Sequence, residues 1–307
     1  MNGILLIDKP SGPTSHDVVD RVRRKLGIKK VGHAGTLDPI ATGLLVLGIG
    51  KGTRILEYFL HADKVYRAQI KLGIVTETFD ITGEIKEEHP CNVTESEVAQ
   101  ALKSLQGEFL QVPPAYSARK YKGRKLYELA REGKIIRLPP RRVFVHKVEV
   151  IQVDLQENLV EALFKVSSGT YIRSLCMELG YRLGCGAVMN GLTRIQQGPF
   201  KLESAVKLED VSTEKITPIN VALGWMPALV VNEESAERVK NGGQIYTSQV
   251  IEVVGDFSKD ADIRILDPSG ELLAVARSER TSKFIKTLKS HGRRDRVAKL
   301  KKVLAEK

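Results

Sequence analysis

Two long strand-like runs constrain this chain most: RRVFVHKVEVIQVDL at 141–155 and LVEALFKVSS at 159–168. Asp154, Glu157 and Asn158 cluster where the runs meet, and polar residues of this kind supply the turn of an antiparallel pair. KVYRAQIKLG at 64–73 adds another strand, with Tyr66, Ala68, Ile70 and Leu72 on one face and Arg67, Gln69 and Lys71 on the other. Helical stretches interrupt the strands without a regular βαβ rhythm. TSHDVVDRVRRKLG reads as a helix capped by Thr14 or Ser15, ended by Gly27, with Val18, Val19, Val22 and Leu26 on its apolar face. A further helix follows Thr94, where Glu97 completes a capping box. The expected fold class is α+β: a mixed, mainly antiparallel sheet with flanking helices, plus a small C-terminal β-barrel.

The domain boundary is expected at Pro227, which gives domains 1–226 and 227–307. Beyond it, the short helix EESAERVKNG, several short alternating strands and a turn at Asp267–Gly270 suit a small barrel closed by a basic C-terminal helix. With 42% hydrophobic and 28% charged residues, the chain has the composition of a globular protein with a full core. No run of eighteen apolar residues offers a membrane span. MNGILLIDKPSG lacks the basic start of a signal peptide, so the expected location is the cytoplasm. Cys91, Cys176 and Cys185 are too few and too scattered for a disulfide framework or a C-x-x-C zinc site. The histidines show no H-x-x-x-H spacing, and no metal is expected.

The formal net charge of +11 favours a polyanionic partner, because Lys and Arg gain by releasing condensed counterions from phosphates. The final segment from Thr281 holds ten Lys and Arg against two acids, most of that excess. Between about Leu110 and Pro140 the strand pattern breaks down. QVPPAYSARKYKGRKLYELAREGKIIRLPPR mixes prolines, tyrosines and basic residues around a short helix near Leu126–Arg131. It reads as an insertion whose cations grip a nucleic-acid backbone while aromatics stack on bases. A solvated loop with its tyrosines packed on the core would have the same composition.

Several cofactor and hydrolase motifs fail. GIGKGTR at Gly48–Arg54 lacks the glycine spacing of a phosphate loop and has Gly52 where Ser or Thr should follow Lys51. There is no G-x-S-x-G elbow and no dinucleotide fingerprint. Asp38 stands out instead. It lies in the loop GHAGTLDP, where Pro39 restricts its conformation and Gly32 and Gly35 permit close backbone approach. An Asp that merely caps a turn fits as well. In SSGTYIRSLCMELG, Thr170 is the expected cap of a helix with Ile172, Leu175, Cys176 and Leu179 on its apolar face. Arg173 then falls in the first turn, where the helix dipole disfavours a cation by roughly 0.3–1 kcal/mol. Such a rule-breaking Arg wants an anion, either a phosphate or a nearby carboxylate. Asp38 is a plausible mate, and a guanidinium would fix the direction of its carboxylate.

GHAGTLDPIATGLLVLGIGKGTR strongly resembles the catalytic motif of the TruB family, the tRNA pseudouridine-55 synthases. LLIDKPSGPTSHDVV is similar to the family's opening signature, and KVYRAQIKLGIVTETFDITGEI to its second active-site strand. VPPAYSARKYKGRKLYELAREG resembles its RNA-binding insertion, and SSGTYIRSLCMELG and LTRIQQGPF follow in the family's order. The remainder is similar, by position and composition, to the small RNA-binding PUA domain of bacterial members.

The resemblance implies a cofactor-free isomerase that turns uridine-55 in the tRNA T-loop into pseudouridine by base flipping, stand-alone and guide-independent. It implies that Asp38 is the attacking carboxylate, that Tyr66 stacks on the flipped uracil, and that Tyr171 takes the proton from C5. The strand pattern alone leaves Tyr66 equally a core residue. Arg173 would pair with Asp38, His33 would help hold the T-loop, and Leu192 would pack on the base. Asp80 would stabilise the surroundings. Lys120, Arg141 and Arg194 would bind substrate, and Lys9 and Pro10 would serve the fold near the site. Thr193 departs from the family pattern, standing where a second Arg is expected before Arg194. The expected partner is tRNA, held at the T-stem-loop and, through the PUA domain, at the acceptor stem. No membrane and no obligatory protein partner are expected, and the chain is expected to be a monomer. The competing readings are a guide-RNA-dependent relative, a non-catalytic RNA-binding protein, and a small-molecule hydrolase using Asp38.

Overall fold

The computed structural model describes residues 1–117 and 119–305. In chain order the first elements are β1 (Gly3–Lys9), α1 (Ser15–Leu26), β2 (Val31–His33), β3 (Thr42–Ile49) and α2 (Leu56–Leu60). They are followed by β4 (Lys64–Leu72), the hairpin strands β5 (Ile74–Thr76) and β6 (Ile85–Glu88), α3 (Glu95–Ser104) and β7 (Gly107–Gln111). The insertion holds β8 (Lys120–Tyr121), β9 (Arg124–Lys125) and α4 (Leu126–Arg131). Then come β10 (Arg141–Asp154), β11 (Leu159–Val166), α5 (Ile172–Leu183) and β12 (Ala187–Gln197). The main sheet runs β1-β3-β12-β4-β11-β10-β7. Its pairs from β12 to β7 are antiparallel, whereas β12 and β3 are parallel.

The local causes are legible. The β10–β11 pair turns where Asp154 Oδ1 accepts from the backbone N–H groups of Gln156 and Glu157, and Asn158 takes φ +50°. Thr14 and Asp17 form a reciprocal cap on α1, Gly27 ends it in the left-handed region, and Thr94 and Glu97 do the same for the start of α3. Tyr66, Ala68, Ile70 and Leu72 form the buried face of β4. Parallel contact between β3 and β12 depends on Gly43, at φ +92°, where a Cβ would lie 2.5 Å from the Arg194 carbonyl oxygen.

The chain divides into two compact units. One comprises residues 5–47 and 56–215, and the other residues 1–4, 48–55 and 216–307, of which 306 and 307 lie outside the described residues. The second unit is built on a six-stranded curled sheet in the order 245–246, 296–303, 272–278, 262–266, 228–231, 250–254. Leu229, Val231, Ile263, Ile265, Leu273, Ile285 and Val297 pack in its core. The basic C-terminal segment is not one helix. Helix Ser282–Ser290 stops before Gly292, at φ +66°, and Arg296–Val303 forms a strand paired with Leu272–Ser278. The lysines in this strand conceal its buried Val297 and Ala298 from a reading by charge. Among the described residues, no helix is long and apolar enough to cross a membrane.

The cysteines also depart from expectation. Cys91 and Cys185 form a disulfide across 94 residues, while Cys176 is free and buried. Spacing along the chain gave no hint of the pair. The fold brings them together because the His89 N–H donates to the Gly73 carbonyl and the Gly73 N–H to the Gly186 carbonyl. The bond joins the end of the β5–β6 hairpin to the α5–β12 turn.

The loop between β2 and β3 is irregular, yet its carbonyls are paired almost one by one. Ala34 O accepts from Gln197 Nε2, Gly35 O from Arg194 Nη2 at 3.2 Å, and Leu37 O from Ser15 Oγ at 3.1 Å. The Leu37 N–H donates back to Ser15 Oγ at 2.8 Å. The fully buried Lys9 ammonium donates to the carbonyls of Pro10, Pro39 and Ala41 at 2.9, 3.2 and 2.6 Å. A loop satisfied this way is rigid without secondary structure. Burial pushes the Lys9 pKa down to about 8, with the Arg194 charge acting in the same direction and Asp38 opposing it.

Closing 94 residues with a disulfide removes denatured-state entropy worth about 4–5 kcal/mol. Reducing the wild type should lower its urea midpoint, and Cys91→Ser should be insensitive to reductant. Equal midpoints for oxidised and reduced wild type would contradict this. Lys9 carries a separate prediction. Between about pH 8 and 10.5 the unfolded chain holds a proton that folded Lys9 has lost, so its contribution to stability rises with pH across that window. The stability difference between wild type and Lys9→Met, from urea unfolding, should therefore move in favour of the wild type over that range. A difference that stays flat would refute the depressed pKa.

Candidate active site

The side chains converge on Arg173. Tyr171 is the N-cap residue of α5, so Arg173 sits in the first turn against the helix dipole. Its guanidinium is buried and its neighbours compensate. Nε lies 3.1 Å from Asp38 Oδ2, and Nη1 lies 3.2 Å from Asp80 Oδ2 and 3.1 Å from the Thr78 carbonyl. Nη2 donates to the Tyr116 carbonyl at 2.9 Å. The Nε–H is not aligned on Asp38, so that contact is an ion pair and not a directed hydrogen bond. The two carboxylates differ in exposure. Asp80 is buried with Arg173, whereas 36% of the Asp38 side chain is accessible. One acid is spent on structure and the other faces outward.

Asp80 is held at both oxygens. Oδ1 accepts from Thr78 Oγ1 at 2.9 Å, from the Thr82 N–H at 3.0 Å and from Thr82 Oγ1 at 2.5 Å, leaving Oδ2 for Arg173. The preceding Phe79 takes φ +64°, a strained conformation for a bulky residue, imposed where Met189 of β12 brackets it. The Met189 N–H donates to Phe79 O, and the Ile81 N–H donates to Met189 O. Asp80 therefore supports the guanidinium, and the Arg–Asp80 pair is the buried half of the site.

Tyr66 lies on the buried face of β4, opposite Phe164 of β11 and Arg194 of β12, and is 7% exposed. Tyr171 is half-buried at the mouth of α5. Its expected neighbour cap is absent: Thr170 Oγ1 donates to the Ser167 carbonyl, one residue out of place for capping α5. Leu192 is half-buried on β12 opposite Ala68, and its carbonyl accepts from Thr42 Oγ1 at 3.4 Å. Thr193 pairs its hydroxyl with that of Thr42 at 2.8 Å. His33 ends β2 with Nδ1 buried and without an aligned hydrogen bond. Burial, chiefly, pushes its pKa below the ordinary value, so the ring is neutral at pH 7; the Gly35 backbone opposes this, and the charges of Arg194, His16 and Lys125 reinforce it.

Arg194 does not sit where a phosphate could reach it. It is 1% exposed, with Nε donating to the Leu44 carbonyl at 2.7 Å and Nη2 to Gly35. Its expected substrate contact is replaced by support of the Asp38 loop, because a guanidinium buried between two carbonyls cannot leave without stranding them. Arg141 is exposed at the start of β10, opposite Gln111 of β7. The Lys120 backbone begins β8, and its side chain lies outside the described parts of the chain. Ser15, read from the sequence only as an alternative helix cap, is buried, and so are Gln111 and Gln197, which the sequence did not single out. Each makes its contacts across more than twenty residues of chain, which no local pattern records. Among the described residues, no group of three or more His, Cys, Asp or Glu is arranged to hold a metal.

Comparison with known proteins places the sequence in one family. Residues 23–172 match the TruB family pseudouridylate synthase N-terminal domain, residues 173–219 the tRNA pseudouridylate synthase B C-terminal domain, and residues 227–304 the PUA domain. The tRNA pseudouridine synthase B of Thermotoga maritima is 50% identical over 306 residues, 98% of each chain. That of Thermosipho melanesiensis is 47% identical over 309 residues, the whole of both chains. Among solved structures, an H/ACA ribonucleoprotein bound to a substrate RNA containing 2'-deoxyuridine aligns with TM-score 0.77 at 25% identity, covering 99% of this chain and 85% of that one. A Cbf5–Nop10–Gar1 complex aligns with TM-score 0.75 at 27% identity, covering 98% of this chain and 84% of that one. This chain belongs to the TruB family of pseudouridine synthases.

Proposed function

We propose that the protein isomerises uridine-55 in the T-loop of tRNA to pseudouridine, acting alone and without a guide RNA. The observation that carries this reading is the outward-facing Asp38 carboxylate, oriented by a buried guanidinium that a second, buried carboxylate holds in place. The reaction breaks the N1–C1′ bond and forms C5–C1′ within one nucleotide. C5 loses a proton and N1 gains one, so no co-substrate is consumed. A carboxylate nucleophile divides that exchange into two easier steps. Asp38 supplies it, and Arg173 presets its direction.

The target base must leave its stack to reach Asp38, at a cost of a few kcal/mol offset by new stacking and phosphate contacts. Tyr66 and Leu192 receive the uracil, and Tyr171 accepts the proton from C5. Neutral His33 and the basic insertion, with Lys120 and Arg141, hold the loop. The residues from 227 onward form an RNA-binding domain that meets the acceptor stem. Identities of 47–50% over the full length of tRNA pseudouridine synthase B relatives, against 25–27% to the ribonucleoprotein structures, support the stand-alone reading.

Tritium release from tRNA labelled at C5 of uridine tests the whole reading, using purified protein alone. One equivalent released by the wild type is expected, and no release despite tight tRNA binding would refute it. Asp38→Asn should lower kcat by more than about 10³-fold with tRNA affinity retained. Near-normal turnover would remove Asp38 from the chemistry. Arg173→Lys should cost about 10²-fold in kcat, since a point charge cannot serve two carboxylates and two carbonyls at once. A fully active lysine variant would contradict the orienting role.

A further inference from the structure

The mouth of α5 carries Tyr171 at the N-cap and Arg173 in the first turn, yet the N-cap side chain makes no capping hydrogen bond. The cap comes from elsewhere. Gln111, the last residue of β7, is buried and turns its amide onto the Tyr171 backbone. Its Oε1 accepts from the Tyr171 N–H at 2.7 Å, and its Nε2 donates to the Tyr171 carbonyl at 3.0 Å. This double bond pattern imitates one rung of a β-ladder and fixes both the position and the rotation of the peptide at the helix mouth. Gln111 is also the root of the insertion. It pairs with Arg141 where the inserted segment leaves and returns, and five residues further on the Tyr116 carbonyl accepts from Arg173 Nη2. The base of the insertion thus grips the catalytic helix twice, once at Tyr171 and once at Arg173.

We infer that Gln111 is a positioning residue that couples the seating of the 112–140 insertion to the geometry of Tyr171 and Arg173. An insertion drawn onto RNA pulls on β7 and β10 at this root, and Gln111 transmits that registration to the helix mouth. Arg173, and through it Asp38, then reaches its working arrangement when the insertion is seated. This rests on the isomerase reading given above.

The test compares Gln111→Ala and Gln111→Glu with the wild type. Single-turnover tritium release should fall by about ten- to a hundredfold in Gln111→Ala. Its tRNA dissociation constant should stay close to that of the wild type, and its thermal midpoint should fall by no more than a few degrees, the cost of leaving the Tyr171 N–H without its partner. Gln111→Glu separates positioning from packing. Its ionised carboxylate can accept from the Tyr171 N–H but cannot donate to the carbonyl, whereas the protonated acid does both. The Gln111→Glu to wild-type rate ratio should therefore climb as pH falls from 8 toward 5.5, while the Gln111→Ala ratio stays flat. Hydrogen exchange of the 171–175 segment should quicken in Gln111→Ala. A wild-type rate in Gln111→Ala, a loss accounted for wholly by weaker tRNA binding, or a flat Gln111→Glu ratio would each overturn the inference. Silence of the wild type itself would overturn the isomerase reading instead, and exchange at 171–175 would still decide the role of Gln111.

Discussion

A single buried guanidinium organises this catalytic unit. Arg173 lies in the first turn of a helix, where the backbone dipole opposes it, and is shut away from water that would otherwise solvate its charge. Such a group is tolerated only if its charge is compensated: two carboxylates balance it, and Asp80 and two carbonyls accept from its terminal nitrogens. The partners come from the β2–β3 loop, the β5–β6 hairpin and the insertion. Losing any one leaves a charge or a carbonyl stranded, so these segments are bound to a common geometry.

Around that centre, irregular backbone is made rigid by long side chains and not by secondary structure. Lys9, Ser15, Arg194 and Gln197 come from β1, α1 and β12 and close the carbonyls of the Asp38 loop. The arrangement places an accessible carboxylate on a stiff support, and orientation of this kind can supply much of a barrier reduction. It also divides the cations into two groups. Lys9, Arg173 and Arg194 are consumed by the scaffold, whereas others, Arg141 among them, remain exposed to solvent.

The disulfide between Cys91 and Cys185 belongs to the same economy of long-range ties. It joins the hairpin that supplies Asp80 to the far end of the helix that supplies Arg173. The two elements are thereby linked at one end by a covalent bond and at the other by an ion pair.

Much of this protein was legible in its residues. Alternation in 64–72 dictated a strand with a defined buried face, because side chains on a strand point to opposite sides with a period of two, and the long apolar-rich runs at 141–154 and 159–166 read as its neighbours, although the 141–154 strand leaves most of its length exposed. Thr14, Gly27, Thr94 and Glu97 set helix ends through contacts three or four residues long. The misplaced charge of Arg173 announced an anion partner, and motif order pointed to the family. What the sequence could not record was any contact made across distant segments. It did not distinguish the buried Arg194 from a phosphate ligand, reveal Gln111 as the cap of α5, or pair Cys91 with Cys185. Nor did it separate the terminal strand from the helix before it, since lysines masked the two buried residues that make it a strand. Local rules act within one turn or one pleat. Which carbonyl a guanidinium meets, and which acid stays exposed, is decided only when the sheet brings remote segments into register.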